Sequence, residues 1–392
     1  MANRNEKPKV AIDTWPLGIR FRNHGIYVYT KNLLTSFRQM GVQHSVNVMP
    51  LVCSSVSNDA NVYEAAPGFI PRQAGLLRFD RLWRFGGSCI SAFQGRADVM
   101  FCPSGTVLPI KGLVPVVATI HDVTAVVMPS YSRKISAMLR FLLRSSAKYS
   151  HMLITDSICS KQDLVNIYGV PEFKISVVYL GFDKSNFNLE SPDPDAQRKL
   201  FGKFAIHRPY IIHHGVLQPR KNLTRLIQAY RLLLERNRNL DLDLVLAGPS
   251  GWQYQELLTT ANRTAGAKGQ VIFTGALSDT DLALLIKGAS LAVIPSLYEG
   301  FCLPMVESMA CGIPTIAANS SCLPEVSGGV LRYFNPQSID EMAACMQEAL
   351  ENEDLRKELS EKGLRRAGDF DWQRCAAETL SILARCARNG KR

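Results

Sequence analysis

The sequence predicts an α/β protein made of two doubly wound, mostly parallel sheets. Three observations predict it. Short β-branched runs alternate with longer amphipathic segments, the alternation occurs twice along the 392 residues, and a polar proline-containing stretch separates the two runs. Alternation of this kind marks strands covered on both faces by crossover helices. In such sheets ligands sit beyond the carboxyl ends of the strands. Two halves joined by one linker are therefore expected to face a central cleft, with the chemistry in the loops that follow the strands.

In the first half the strand candidates are Val10–Asp13, Ser45–Pro50, Val99–Cys102, Pro115–Ile120, Met152–Thr155 and Ile175–Val178. Helices are expected at Tyr27–Met40, Gly75–Phe85, Arg133–Lys148 and Ser160–Tyr168. In the second half strands are expected at Tyr210–His213, Leu242–Ala247, Val271–Phe273, Leu291–Ile294, Thr315–Ala317 and Val330–Tyr333. Its helices are expected at Leu223–Arg236, Trp252–Ala261, Asp279–Lys287, Pro304–Ala310 and Ile339–Glu351. Asp183–Lys199 carries Pro192 and Pro194 and reads as the linker. The expected domains are 1–182 and 200–370, followed by a closing helix over 371–392 that can pack back on the first domain.

Charge narrows the choice of partners. Residues 1–189 hold 21 Lys and Arg against 11 Asp and Glu, whereas the remainder holds 24 against 23. The basic excess of the first half should meet a polyanion, an anionic membrane surface or a phosphorylated substrate. Two segments there are basic and amphipathic. Pro71–Phe85 carries Arg72, Arg78, Arg81 and Arg84, and Arg133–Lys148 carries Arg140, Arg144 and Lys148 at four-residue spacing. Such helices can rest on anionic lipid, or can be ordinary core helices with solvated basic faces. The polar N-terminus has no apolar run of signal type, and no stretch reaches the length of a membrane span. A cytoplasmic protein is expected, peripheral at the inner membrane face if the basic helices bind lipid. Ten cysteines without a C-x-x-C pair read as reduced thiols, and no metal site is expected.

Four segments carry candidate chemistry. Ser296–Pro314 places Glu299 in a loop after a strand and Glu307 about one turn inside the next helix, eight positions on. Between them Gly300, Phe301, Cys302 and Leu303 expose backbone N–H groups at a helix start, where anions bind. A carboxylate on each side can accept from hydroxyls, although a surface Glu after a Gly-containing turn would read the same way. In His213–Leu223, Arg220 and Lys221 stand near a helix start in a loop freed by Gly215 and Pro219. They can neutralise a diphosphate or merely line a solvated loop. Thr119–Val123 sets His121 and Asp122 at a strand terminus, as cleft residues or as a structural His beside a capping Asp. Asn23–Tyr29 sets Gly25 at a strand-to-helix turn, where backbone can approach a ligand. No G-x-G-x-x-G or P-loop occurs, which argues against a dehydrogenase or an NTPase.

Together these residues resemble glycosyltransferase family 4, of the two-domain GT-B fold. The resemblance rests on E-G-F-x-L-P-x-x-E at Glu299–Glu307, P-R-K-N at Pro219–Asn222 and A-G-P at Ala247–Pro249. It continues in F-T-G at Phe273–Gly275, A-x-G-x-P at Ala310–Pro314, P-E-V at Pro324–Val326, I-H-D at Ile120–Asp122 and T-D-S at Thr155–Ser157. It covers nearly the whole chain and is strongest from Tyr210 to Tyr333. It implies a retaining, metal-independent enzyme without a cofactor, whose nucleotide-sugar donor lies mainly on the C-terminal domain. By the same resemblance, Glu307 holds ribose hydroxyls, Glu299 holds the donor sugar, and Arg220 and Lys221 hold the diphosphate. Backbone N–H groups near Phe301, Cys302 and Leu303 bind phosphate and sugar, Gly25 lets a loop close over the phosphates, and His121 faces the reacting centre. One departure is Cys302, where the family usually has Gly.

The pattern is similar to mannosyltransferases that build bacterial surface polysaccharides from GDP-mannose. This implies transfer of mannose to a glycan or lipid-linked acceptor. The competing readings are a sugar-nucleotide epimerase of the same fold, or a non-catalytic basic protein that binds membrane or nucleic acid. No nucleic-acid-binding motif occurs, so no nucleic-acid partner is expected.

Overall fold

A computed structural model describes residues 7–18, 25–41, 46–53, 69, 72–73, 82–128, 133–263 and 268–389. The chain divides into two units, one of residues 1–181 with 371–392 and the other of residues 182–370.

In the first unit, seven parallel strands among the described residues run in the order β3-β2-β1-β4-β5-β6-β7. They are β1 (Lys9–Asp13), β2 (Asn47–Val52), β3 (Arg72–Gln73), β4 (Val99–Cys102), β5 (Val116–Thr119), β6 (Met152–Thr155) and β7 (Ile175–Val177). The central strands are largely apolar, and β4 and β5 are buried at every position, as strands covered on both faces must be. The helices are α1 (Gly25–Gln39), α2 (Ser88–Gln94), α3 (Arg133–Tyr149) and α4 (Ile158–Tyr168). Gly25 is thus the first residue of α1 rather than a turn residue ahead of it. Ser157 caps α4 by accepting from the Ser160 N–H.

The helix expected at Gly75–Phe85 falls mostly outside the described residues. Its end differs from expectation. Trp83–Gly87 forms a wide turn broken at Phe85 and Gly86, and it leads into α2. Arg84, expected on a solvated basic face, is buried, with its guanidinium 4.8 Å above the Trp15 ring. The indole face gives the desolvated cation a partner.

The second unit holds six parallel strands among the described residues, ordered β10-β9-β8-β11-β12-β13. They are β8 (Tyr210–His214), β9 (Asp243–Ala247), β10 (Val271–Gly275), β11 (Leu291–Ile294), β12 (Thr315–Ala318) and β13 (Arg332–Phe334). Around them lie α5 (Pro194–Lys203), α6 (Leu223–Arg236), α7 (Tyr254–Arg263), α8 (Asp279–Lys287), α9 (Leu303–Ala310), α10 (Ile339–Glu351) and α11 (Glu353–Ala367). The strand order is the Rossmann order, with its switch point between β8 and β11.

The segment expected as a linker belongs to the second unit and contains α5. Pro194 does not break the chain there. It occupies the first turn of α5, behind an Asp193 cap that accepts from the Asp195 N–H. The last helix, α12 (Trp372–Asn389), groups with the first unit and packs on α1. Gly181 makes this return possible, because a Cβ there would lie 2.2 Å from the Trp372 nitrogen.

The loops at the second switch point are held by a glycine pair. Gly248 after β9 has φ +143°, and a Cβ on it would meet the Gly215 carbonyl oxygen at 2.1 Å. Neither conformation nor space admits a side chain. Gly248→Ala should therefore destabilise the second unit by about 2–4 kcal/mol, read by urea unfolding. A change within about 0.5 kcal/mol would mean that this approach is not tight.

Candidate active site

The second switch point gathers the residues that the sequence singled out there. After β8 the chain passes Gly215 and makes a tight turn at Pro219–Lys221. Asn222 ends that turn in the left-handed conformation, with φ 60°. Its side-chain amide donates to the carbonyls of Pro295 at 3.1 Å and Pro336 at 2.7 Å. A backbone bond from the Leu297 N–H to the Arg220 carbonyl, 2.8 Å, joins this turn to the loop after β11.

Glu299 is the centre of that junction and is only 4% exposed. The Arg220 guanidinium donates to its Oε2 and also to the Tyr298 carbonyl, the latter at 3.1 Å. Lys221 Nζ lies 2.5 Å from Oε1, and the Ser296 hydroxyl donates to the same oxygen at 2.7 Å. The Glu299 N–H donates to the Ser321 hydroxyl at 2.9 Å. Burial favours the neutral acid, but Arg220 and Lys221 outweigh it and hold the Glu299 carboxyl down at about 2. Two cations thus share one carboxylate, leaving one net positive charge. Lys221 is buried, while the Arg220 side chain keeps 20% exposure.

The start of α9 lies against this cluster. A Cβ on Gly215 would sit 3.4 Å from Pro304 Cγ and 3.8 Å from Lys221 Nζ. Cys302 caps α9 with φ 75° and ψ 67°, without a side-chain hydrogen bond to the helix N–H groups. This left-handed conformation explains why Gly suits the position, since a side chain there costs energy. Burial, reinforced by Glu299, pushes the Cys302 thiol up to about 12, so it is no nucleophile. Gly300 and Phe301 are buried in the same loop.

Glu307 sits one turn into α9, with His214 Nδ1 3.6 Å from its Oε2. Burial, with help from Asp279 and Asp183 and against Lys221, pushes the Glu307 carboxyl up to about 8. It was expected as a carboxylate; near neutrality it is largely a protonated acid, able to donate as well as accept. His213 and His214 are fully buried in β8. His213 donates from Nδ1 to the Val293 carbonyl at 2.9 Å, and His214 shares a hydrogen bond with the Ser308 hydroxyl at 3.0 Å. Burial, aided by Lys221, takes His213 down to about 4. Burial, aided by His213, takes His214 down to about 3. Sequence reasoning quoted Asn222, Ser296 and His214 only as members of longer segments, with no role, and did not name Ser321, because a single Ser, Asn or His does not announce its partner.

The first unit holds Gly25 and His121. Gly25 opens α1 with nothing within 4 Å of a Cβ position. Tyr29, one turn later, meets the His121 ring edge-on at 4.7 Å. Both His121 nitrogens are occupied, Nδ1 by Asp156 and Nε2 by the Pro103 carbonyl. Asp122 accepts from the Thr124 N–H at 2.9 Å, one residue ahead of Val123, which holds the cap position of the short helix Thr124–Val127. Among the described residues there is no cluster of His, Cys, Asp or Glu able to hold a metal. No disulfide joins any of the ten cysteines.

Two Rossmann-type units, with a cation-rich acid cluster at the switch point of the second, define a glycosyltransferase of the GT-B fold. Residues 24–186 match the family model "Glycosyltransferase Family 4", and residues 197–366 match "Glycosyl transferases group 1". The chain belongs to glycosyltransferase family 4. It is 29% identical to the O-antigen chain mannosyltransferase B of Escherichia coli over 269 residues, 68% of this chain and 69% of that protein. It is 34% identical to the serotype-specific mannosyltransferase WbdA of Escherichia coli over 201 residues, and there the match spans 51% of this chain but only 25% of WbdA. The crystal structure of Anabaena HepE with UDP and glucose superposes with a TM-score of 0.74 over 96% of this chain and 100% of that one, at 19% identity. That likeness is one of fold.

The raised Glu307 pKa fixes a sign. The folded value lies above the unfolded one, so its contribution to stability is full below about pH 4.3 and is lost as the pH rises toward about 8. In urea unfolding followed from about pH 5 to 8, the wild type should lose a few kcal/mol that Glu307→Gln keeps. Parallel curves would make Glu307 an ordinary carboxylate.

Proposed function

We propose that the protein is a retaining glycosyltransferase that moves mannose from GDP-mannose to a glycan or lipid-linked acceptor in surface polysaccharide synthesis. The observation that carries the reading is the buried Arg220–Glu299–Lys221 cluster beside the start of α9. A diphosphate needs cations and backbone N–H groups side by side, and this junction supplies both. Arg220 and Lys221 hold the diphosphate and steady it as it leaves, while Glu299 fixes both cations and meets the donor sugar. Glu307 holds the ribose hydroxyls. N–H groups of Phe301, Cys302 and Leu303 bind phosphate and sugar. In the first unit, Gly25 and His121 serve the phosphates and the reacting centre. The acceptor hydroxyl attacks on the face from which the nucleotide departs, and a phosphate oxygen takes its proton. Catalysis then rests on positioning and charge stabilisation, with no metal or cofactor. Both relatives are mannosyltransferases, which supports mannose as the sugar.

Nucleotide release from a panel of GDP-mannose, GDP-fucose and UDP-glucose tests this. GDP-mannose should be consumed, with Arg220→Ala and Glu299→Ala slower by roughly a hundred- to a thousand-fold. Release from none of the donors by the wild type overturns the reading. The product anomer, read by proton NMR, decides retention.

An anionic membrane surface is the partner we propose for the first unit, where the protein would be peripheral. The α3 sequence contains no Asp or Glu, and Arg140, Arg144 and Lys148 are exposed. Beside them Phe141 and Phe85 stack at 6.0 Å, although they are 50% and 41% exposed. Cations around an exposed aromatic pair suit a charged lipid interface. No described helix is long and apolar enough to cross a membrane. The protein should sediment with phosphatidylglycerol vesicles at low salt and leave them at high salt, with weaker retention after Phe141→Ala. Equal binding to phosphatidylcholine vesicles counts against the proposal.

A further inference from the structure

We propose that Asp156 is a positioning residue that holds His121 as a fixed, doubly protonated cation at the carboxyl edge of the first sheet. His121 Nδ1 lies 2.6 Å from Asp156 Oδ2, and Nε2 lies 2.9 Å from the Pro103 carbonyl oxygen. A carbonyl oxygen and a carboxylate only accept. A neutral imidazole has one N–H and can serve only one of them, whereas an imidazolium serves both. The charged ring therefore satisfies every contact at the site, and a neutral ring leaves one pair of acceptors facing each other.

The surroundings agree. Pro103, His121 and Asp156 follow β4, β5 and β6, so three successive loops at one sheet edge meet at this ring. Asp156 is 2% exposed, and its second oxygen, Oδ1, has no partner among the described residues. An isolated buried carboxylate is costly, and an adjacent cation offsets that cost. The charged and titratable groups around His121 are Asp156 at the start of α4, Asp122 in its own loop and Tyr29 on α1. Cys375 on α12 stands by Asp156 and Tyr29. Burial pulls the His121 pKa down, but Asp156, then Pro103 and Asp122, bring it above the ordinary value. Tyr29 packs edge-on to the ring and is itself held by a 3.0 Å bond to the Thr119 hydroxyl.

His121 is then no general base, since neither nitrogen has a lone pair to offer. It supplies a positive charge of fixed orientation, suited to negative charge that develops during transfer. Only this last role rests on the function proposed above; the protonation state does not.

The test uses the full-length protein labelled with ¹⁵N. Long-range ¹H–¹⁵N spectra of the imidazoles are recorded across neutral pH, with His121 assigned by its loss in His121→Gln. His121 should keep both protons to a higher pH than an ordinary histidine, which gives one up near about 6.5. In Asp156→Asn the ring should give one up at a lower pH than in the wild type. In donor turnover, Asp156→Asn should lower kcat about tenfold or more with KM little changed, and Asp156→Glu should restore most of it. A wild-type His121 that titrates at or below about 6.5 overturns the proposal. So does an Asp156→Asn protein whose ring titrates as in the wild type. If that variant does not fold, the wild-type titration decides alone. If no donor is turned over, the functional reading fails while the spectra still decide the charge.

Discussion

A single buried carboxylate organises the second unit. Glu299 lies under two cations and a hydroxyl, and each of these comes from a different point on the loops after β8 and β11. A carboxylate out of water must be fully hydrogen-bonded, and a lysine out of water must have a counter-charge. Each demand is met only when the Pro219–Lys221 turn and the Ser296–Glu299 loop are in register. The backbone bond from Leu297 to Arg220, and the two carbonyls bridged by Asn222, keep that register without charge. The start of α9 lies beside these loops, with Pro304 Cγ 3.4 Å from the Cβ position of Gly215.

Much of this was legible from residue order. Strands Val99–Cys102, Met152–Thr155 and Leu291–Ile294 fall where the pattern put them, because strands covered on both faces are largely apolar. Helices Leu223–Arg236, Asp279–Lys287 and Ile339–Glu351 match residue for residue. The last two begin at serines whose hydroxyls cap them. The linker misled because proline breaks a helix interior but favours its first turn. Only the capped geometry at Asp193 tells which case applies. Arg84 misled because its partner, Trp15, is far away in sequence. The neutral state of Glu307 was hidden because it comes first from burial, which only the fold creates, with Asp279 and Asp183 brought near from elsewhere in the chain.

Cys302 shows how motif reading and geometry complement each other. The sequence marks it only as a departure from a pattern. The left-handed backbone gives the physical reason for the pattern, and the buried thiol beside Glu299 gives the reason this departure adds no new reactivity. Its consequence is one of shape, a sulfur where the pattern leaves bare backbone.

His121 of the first unit and His213 and His214 of the second lie on opposite sides of the ordinary imidazole pKa. His213 and His214, kept neutral inside β8, resist protonation until the pH is near 4 and 3, while an unfolded chain takes up those protons at about 6.5. Acidification through that interval therefore draws stability from the second unit at its central strand. His121, with a pKa shifted the other way, contributes its stability on the acid side and gives it up as the medium turns alkaline. Within the second unit Glu307 opposes His213 and His214, since its raised pKa adds stability as the pH falls; that unit thus carries two opposed proton ledgers, while the histidine contact of the first tightens on the acid side.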